Sequence, residues 1–393
     1  MFELIPYGTK IPFMKYKFLM VAFSVIMSAL SLYFIITKGF NYGVDFSGGV
    51  QIVLSLPADS PHDVERLRKS LESLGIKEVS VQSFGTQFEK KDAEYIVHFP
   101  GEFTNEAHLR ANLEKALQGS PSNPRVAAFR FVGMERAYFT LLKDTPIDQV
   151  RAAVKTLPFG ILELVDVQPF GRETSNEYQM NFKSIQETLK AALTKDFPSA
   201  SQKTIVIEKV DFVGAKVGKD LKLGALLSLI ITGLLIFVFI FIRFDLNYAP
   251  GVVVAGVHDV LITAGAFSYF GFEFDLTTVA ALLTLAGYSI NDTIIVYDRI
   301  REVSLQLKGK KFEDVIDLAV NQTLSRTIIT SLTVFIVSVV MWIYGGPVIH
   351  GFSFALCVGI IVGTYSSVFV AAPMILLMEN FTQSRQAKAR RAA

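Results

Sequence analysis

Cysteine is almost missing from this 393-residue sequence: Cys357 is the only one, which excludes an intramolecular disulfide and any cysteine-rich metal site. Charge is scarce as well, with 19% Asp, Glu, Lys and Arg against about 25% in ordinary soluble domains. The Lys and Arg residues are interleaved with acids, so the net charge of +2 carries no basic stripe of the kind that binds nucleic acid. There is no HExxH pair for zinc and no phosphate-loop lysine. Without these constellations the sequence points to no covalent chemistry, no cofactor and no enzyme.

What it has in excess is apolar surface. Hydrophobic residues make up 51% of the chain and gather toward its two ends. An apolar helix of about 20 residues crosses a hydrocarbon core roughly 30 Å thick. Six segments meet that length: 18–37, 223–242, 249–271, 276–297, 327–344 and 351–377. The third is the least apolar because His258 and Asp259 lie in it.

Lys and Arg in the short links set the expected direction. Lys10, Lys15 and Lys17, then Arg243, then Arg299, Arg301, Lys308, Lys310 and Lys311, then Arg385, Lys388, Arg390 and Arg391 all fall on one side of a six-span path. The opposite links, 272–275 and 345–350, contain none. Both termini are therefore expected in the cytoplasm and residues 39–218 outside it. The first apolar run lacks a small-residue cleavage pattern before Lys38 and Gly39, and is read as an anchor.

The outside segment repeats itself. Residues 63–85 align without a gap on 149–171 with eight of 23 positions identical, DAEYIVHF at 92–99 matches SNEYQMNF at 175–182, and the FVG at 131–133 matches that at 212–214. The helices predicted by apolar period are 61–73 and 105–118 in the first copy, 146–157 and 184–195 in the second. Strands are predicted at 50–56, 77–84, 93–99 and 125–132, and again at 137–143, 162–169, 177–182 and 204–212. Each copy then reads βαββαβ, a sheet covered by helices on one face. The fold class is an α-helical polytopic membrane protein with six transmembrane helices and an inserted α+β extracytoplasmic domain holding a duplicated βαββαβ-like unit. The expected divisions are 1–38 (amino terminus and first span), 39–135 and 136–218 (the two copies), 219–378 (spans two to six) and 379–393 (basic tail).

Charges inside the spans are the candidate functional residues. Sixteen uncharged residues separate Asp275 from Asp292, placing Asp292 roughly 24 Å along the fourth span. A carboxylate at that depth is costly unless paired or hydrated. Function is the favoured reason; the alternative is a structural hydrogen bond to a neighbouring helix, with Ser289, Asn291 and Thr293 making the surroundings polar enough to tolerate the carboxylate. Arg326, at the cytoplasmic mouth of the fifth span, either snorkels to lipid phosphate or pairs with Asp292, in which case protonation of the carboxylate releases the coupling. His258 and Asp259 offer a polar relay or a structural hydrogen bond. Gly251, Gly256, Gly265, Gly287, Gly359 and Gly363 allow helices to approach closely. In GVDFSGG at 43–49, Gly48 and Gly49 can turn the chain into the first strand and Asp45 can cap or pin it.

Three segments carry a resemblance: GVDFSGG at 43–49, HDVLITAGAFSYFGFEFDLTTVAALLTLAGYSINDTIIVYDRIRE at 258–302, and NQTLSRTIITS at 321–331. They resemble the SecF family, the smaller membrane component of bacterial protein secretion, within the resistance-nodulation-division superfamily. The resemblance covers the amino anchor and nearly all of 220–380. It implies an inner-membrane subunit that pairs with SecD, a second six-span chain, and acts with the SecYEG channel on translocating preproteins. YajC and YidC are further partners that it suggests. It also implies use of the proton motive force, with Asp292 and Arg326 matching the residues linked to proton conduction. Gly43, Asp45, Phe46, Gly48 and Gly49, and Gly287, Asn291, Thr293, Asp298 and Arg299, match family motif positions. The family usually has one shorter outside domain, so the duplicated segment reads as a departure. Two other readings remain from the residues: a self-sufficient proton-driven small-molecule exporter of the same superfamily, and a passive assembly scaffold.

Overall fold

The computed structural model describes residues 9–57, 59–60, 63–74, 79–84, 93–100, 106–118, 123–159, 161–171, 176–198, 204–243, 248–307 and 309–392. Lys308 and the side chains of 385–391, among the positive charges used for orientation, lie outside what is described. The chain divides into two compact units, a helical one formed by 1–41 with 224–393 and a sheet-rich one formed by 42–223.

The sheet-rich unit contains every strand and helix expected of its two copies. In the first copy these are β1 (Gly49–Leu56), α1 (Val64–Glu72), β2 (Ser80–Phe84), β3 (Ala93–Pro100), α2 (Glu106–Leu117) and β4 (Val126–Val132). In the second they are β5 (Arg136–Leu141), α3 (Ile147–Val154), β6 (Leu164–Phe170), β7 (Glu177–Phe182), α4 (Ile185–Asp196) and β8 (Val206–Val213). Apolar residues four apart give each helix one buried stripe: Leu67 and Leu71, Leu109, Leu113 and Leu117, Val150 and Val154, Ile185, Leu189 and Leu193. The Asp63 side chain accepts from the backbone N–H of Glu65 and caps α1.

The copies do not close on themselves. One sheet has the order β2-β3-β1-β8 and the other β4-β5-β7-β6, so the last strand of each copy lies in the sheet of the other. Val50 of β1 stands opposite Phe212 of β8, and Phe129 of β4 opposite Phe139 of β5, both pairs antiparallel. Helices follow the exchange: α2 packs on β4 and α3, while α4 packs on β8 and α1. One continuous apolar core therefore serves both sheets. The duplication extends to single side chains. Tyr95 and Tyr178 occupy matching places, are buried, and have their phenols pushed above the ordinary value by burial and then by Asp63 and Asp144 respectively.

Among the described residues six helices are long and apolar enough to cross a membrane: Phe13–Thr37, Val217–Arg243, Ala249–Phe270, Leu276–Gln306, Phe312–Tyr344 and Val348–Thr382, called spans one to six. Spans four and five begin or end well beyond the apolar runs, because their charged ends continue the helix. The fifth span's extension holds the amino end: Lys17 pairs with Glu313, the backbone N–H of Met14 donates to Asp317 Oδ1 at 2.9 Å, and Asn321 Nδ2 donates to the Ile11 carbonyl at 2.8 Å. Span six is interrupted by a π-type turn at Ser367–Ala371. Tyr297 of span four, fully buried, donates its hydroxyl to the Ala371 carbonyl at 2.8 Å beside that turn.

Candidate functional site

Spans three to six bring two buried carboxylates together with a set of hydroxyls. Asp292 of span four is 2% exposed, and Ser331 of span five donates to its Oδ2 at 3.2 Å. Ser331 in turn accepts from Thr364 of span six at 2.8 Å. Asp259 of span three is 0% exposed; its Oδ1 lies 2.8 Å from His258 Nδ1, and its Oδ2 accepts from Ser366 at 2.7 Å and from Ser289.

Helix periodicity joins the two clusters. Ser289 and Asp292 are three residues apart on span four, hence neighbours on one face. The same span thus holds Asp259 through Ser289 and presents Asp292 to Ser331. Gly363 clears the space: a Cβ there would meet Ser289 Cβ at 3.1 Å and Asp259 Oδ2 at 3.6 Å. Gly359, one turn earlier, faces the Leu285 side chain so closely that a Cβ would overlap it, and Gly251 and Gly265 are confined likewise by Tyr297 and Ser31. A Cβ on Gly256 would make only ordinary contact with Ile290. Gly287 differs from expectation, since a Cβ there meets nothing within 4 Å among the described residues.

The expected direct pair between Asp292 and Arg326 is not formed. Arg326 is exposed, and its charge acts on Asp292 from beyond ion-pair distance. The reason is positional: Arg326 precedes Ser331 by five residues, about 7.5 Å along the helix axis, so the hydroxyl rather than the guanidinium faces the carboxylate. Of the other motif residues, Thr293 is buried and donates to the Ser289 carbonyl, while Asn291 is exposed. Asp298 pairs with Arg243 of span two at 3.5 Å, and Arg299 donates to Gln322 at 2.7 Å and pairs with Glu302.

In the sheet-rich unit GVDFSGG forms a short helix, Val44–Ser47, stopped by Gly48 at φ +70°, and β1 begins at Gly49 with φ +114°. Phe46 is buried. Gly218 packs on this turn, its would-be Cβ 3.1 Å from the Gly48 backbone nitrogen and 3.4 Å from the Asp45 carbonyl. His98 of β3 sits beside it, with Nε2 3.1 Å from Ser47 Oγ and 3.3 Å from the Gly48 carbonyl. Burial pushes the His98 pKa below the ordinary histidine value, and the Gly48 carbonyl opposes this.

Ser331, Thr364, Ser366 and Tyr297 were not singled out by sequence reasoning. The available signal was the need of a buried carboxylate for donors, with small hydroxyl residues spaced a turn apart on the spans that follow. Among the described residues no group of three His, Cys, Asp or Glu side chains could hold a metal ion.

Six apolar helices, buried carboxylates linked by hydroxyls across four of them, and an inserted sheet domain define a polytopic membrane protein of the transporter class. Its particular family follows from comparison. Residues 193–381 match the family described as protein export membrane protein SecD/SecF, C-terminal, and residues 33–56 match the SecD/SecF GG motif. The protein translocase subunit SecF of Calditerrivibrio nitroreducens is 32% identical over 96% of this chain and 97% of its own, and that of Koribacter versatilis 33% identical over 96% and 94%. The chain belongs to the SecF family of protein translocase subunits. It is a multi-pass inner-membrane protein with a large extracytoplasmic domain.

Among solved structures it is similar to SecDF, a translocon-associated membrane protein from Thermus thermophilus, with a TM-score of 0.66, 26% identity, and coverage of 95% of this chain and 39% of that one. A SecDF in a super-membrane-facing form matches at a TM-score of 0.50, covering 99% of this chain and 41% of that one. The chain thus spans about two fifths of the SecDF chains it matches. Matches over 96% of this chain extend through the duplicated outside segment, so these two relatives share it.

Proposed function

We propose that this chain is the SecF-type half of a SecD–SecF unit that uses proton entry to assist late preprotein translocation at SecYEG. The observation that carries the reading is Asp292, a carboxylate 2% exposed in the middle of span four with one hydroxyl donor from span five. Membrane depth makes its charged form costly and its protonated form cheap, so changing its protonation changes the preferred contacts of spans four, five and six. In this account a proton bound at Asp292 weakens its demand on Ser331, which frees Thr364 and lets span six shift against span five. Arg326 biases the same site from the cytoplasmic mouth by its permanent charge. A charge moved across the membrane is worth about 2.3 kcal/mol per 100 mV, enough to bias a small conformational equilibrium.

Both termini lie in the cytoplasm in this reading, from the Lys and Arg pattern. SecD supplies the second six-span half, and YajC and YidC are further partners carried by family resemblance. The test is export of a preprotein into vesicles that contain SecYEG and this chain, with and without SecD, under an imposed proton gradient. The wild-type pair accelerates completion of transport and Asp292→Asn removes the acceleration. Acceleration retained by Asp292→Asn contradicts proton use and leaves a passive scaffold. Extrusion of small molecules by this chain alone would instead mark a self-sufficient exporter.

A further inference from the structure

His258 Nε2 takes no part in the hydroxyl network that joins Asp292, Ser331 and Thr364. His258 is 7% exposed, its Nδ1 is committed to Asp259, and its Nε2 is buried without a hydrogen-bond partner among the described residues. A buried ring nitrogen is rarely left in that condition.

Proton counting shows why it matters. If Nδ1 carries the only ring hydrogen and donates it to Oδ1, the pair has a charge of −1, held by that bond and the hydroxyls of Ser289 and Ser366, with Nε2 an unused acceptor. If Nε2 also binds a proton, the pair becomes neutral, but the new N–H has no acceptor among the described residues. Nε2 is unsatisfied in both states, so what protonation changes is the buried charge of the pair. The same residues would be a poor choice for a purely structural bond, which an asparagine could supply without a titratable nitrogen.

The surroundings limit what else can titrate there. From span four come Asp292, three residues beyond Ser289, and Tyr288, whose buried hydroxyl also lacks a partner. From span six comes Tyr365, its ring centroid 6.5 Å from that of His258 and its hydroxyl committed to the Met20 carbonyl at 2.7 Å. Span one offers Ser24, bonded to Tyr365 at 3.0 Å, and no charge at this level. Tyr297 is committed to Ala371, and Arg326 is exposed, its charge felt at Asp292.

We propose that His258 and Asp259 form a second proton-holding site, which gains its proton at His258 Nε2 and communicates with Asp292 through Ser289. A proton from water forms the Nε2–H bond, the pair passes from −1 to neutral, and release reverses the step. This rests on the proton-coupled reading of Asp292 and gives that machine two sites in series across spans three and four.

The experiment is ¹⁵N NMR of the full chain in lipid bilayers with all five histidine rings labelled, His258 being assigned by the signal lost in His258→Gln. As the pH is lowered, the Nε2 signal should move from acceptor to protonated. Asp259→Asn should shift or remove that titration. Asp292→Asn should move its midpoint, and Ser289→Ala should abolish the movement, as a double-mutant cycle requires. If His258→Gln does not fold, Asp259→Asn supplies the assignment through the ring it perturbs. A ring that keeps one neutral tautomer throughout overturns the second site, whatever Asp292→Asn does to export. A titration indifferent to Asp292 overturns the communication. Export unaffected by Asp292→Asn would instead strike the reading on which the proposal rests.

Discussion

Asp292 is legible in sequence because sixteen uncharged residues isolate it, whereas its partner is not. Any hydroxyl on a neighbouring span could have met it, and helix rotation, set by packing of glycines and large apolar residues, chose Ser331. The guanidinium expected there stands off. This assigns a test to one atom: Ser331→Ala removes the donor to Asp292 Oδ2 and should disfavour the charged form by about 1.5–3 kcal/mol, lowering proton-driven export, while Ser331→Thr restores it. Export assays on the two variants, with expression checked, decide the point. His98, outside the membrane, gives a second residue-level prediction. Its pKa is held below the ordinary histidine value by burial, so the unfolded state binds its proton first. Stability from this group is present above the unfolded value and is lost as the pH falls through the folded one. Thermal melting of the chain should show the outside domain weakening as the pH falls below about 6.5, and His98→Gln should flatten that response.

At the level of elements, hydropathy located all six spans, because a run of apolar residues long enough to cross a bilayer has few other uses. Their charged extensions were less visible: the helix at 312–326 carries Glu313, Asp314 and Asp317, and only the amino end packed on it explains why it continues. Gly363 was legible as a small residue but its use was not. It makes room for a polar junction, so Gly363→Ala should press on Ser289 and Asp259 and impair coupling more than folding, whereas Gly287→Ala, facing open space within the chain, should leave fold and expression unchanged. Comparing thermal stability with export for the two variants separates these outcomes. The π-type turn after Ser366 has no sequence signal; the Tyr297 hydroxyl bonds the Ala371 carbonyl at its end.

For the whole molecule, period and alternation placed the twelve helices and strands of the outside domain within a few residues of where they lie. They could not assign neighbours: alternation says which face of a strand is buried, and β4 or β8 would be equally well buried in either sheet. The exchange makes the two copies one folding unit. Deleting 136–213 removes β8 from beside β1 and leaves β4 without β5, so the remaining copy should be rapidly cut in limited proteolysis rather than persist as a small domain. A resistant fragment would show that the copies are separable. A large-to-small change in the shared core, such as Leu113→Ala, should cost about 2–5 kcal/mol and loosen both sheets together, which hydrogen exchange can follow.

The measurement closest to the central claim is proton flux through vesicles containing the SecD–SecF unit, read by an internal pH dye under an imposed membrane potential. The account predicts flux in the wild type that is lost in Asp292→Asn and reduced in Ser331→Ala. Equal flux in the wild type and Asp292→Asn would contradict it.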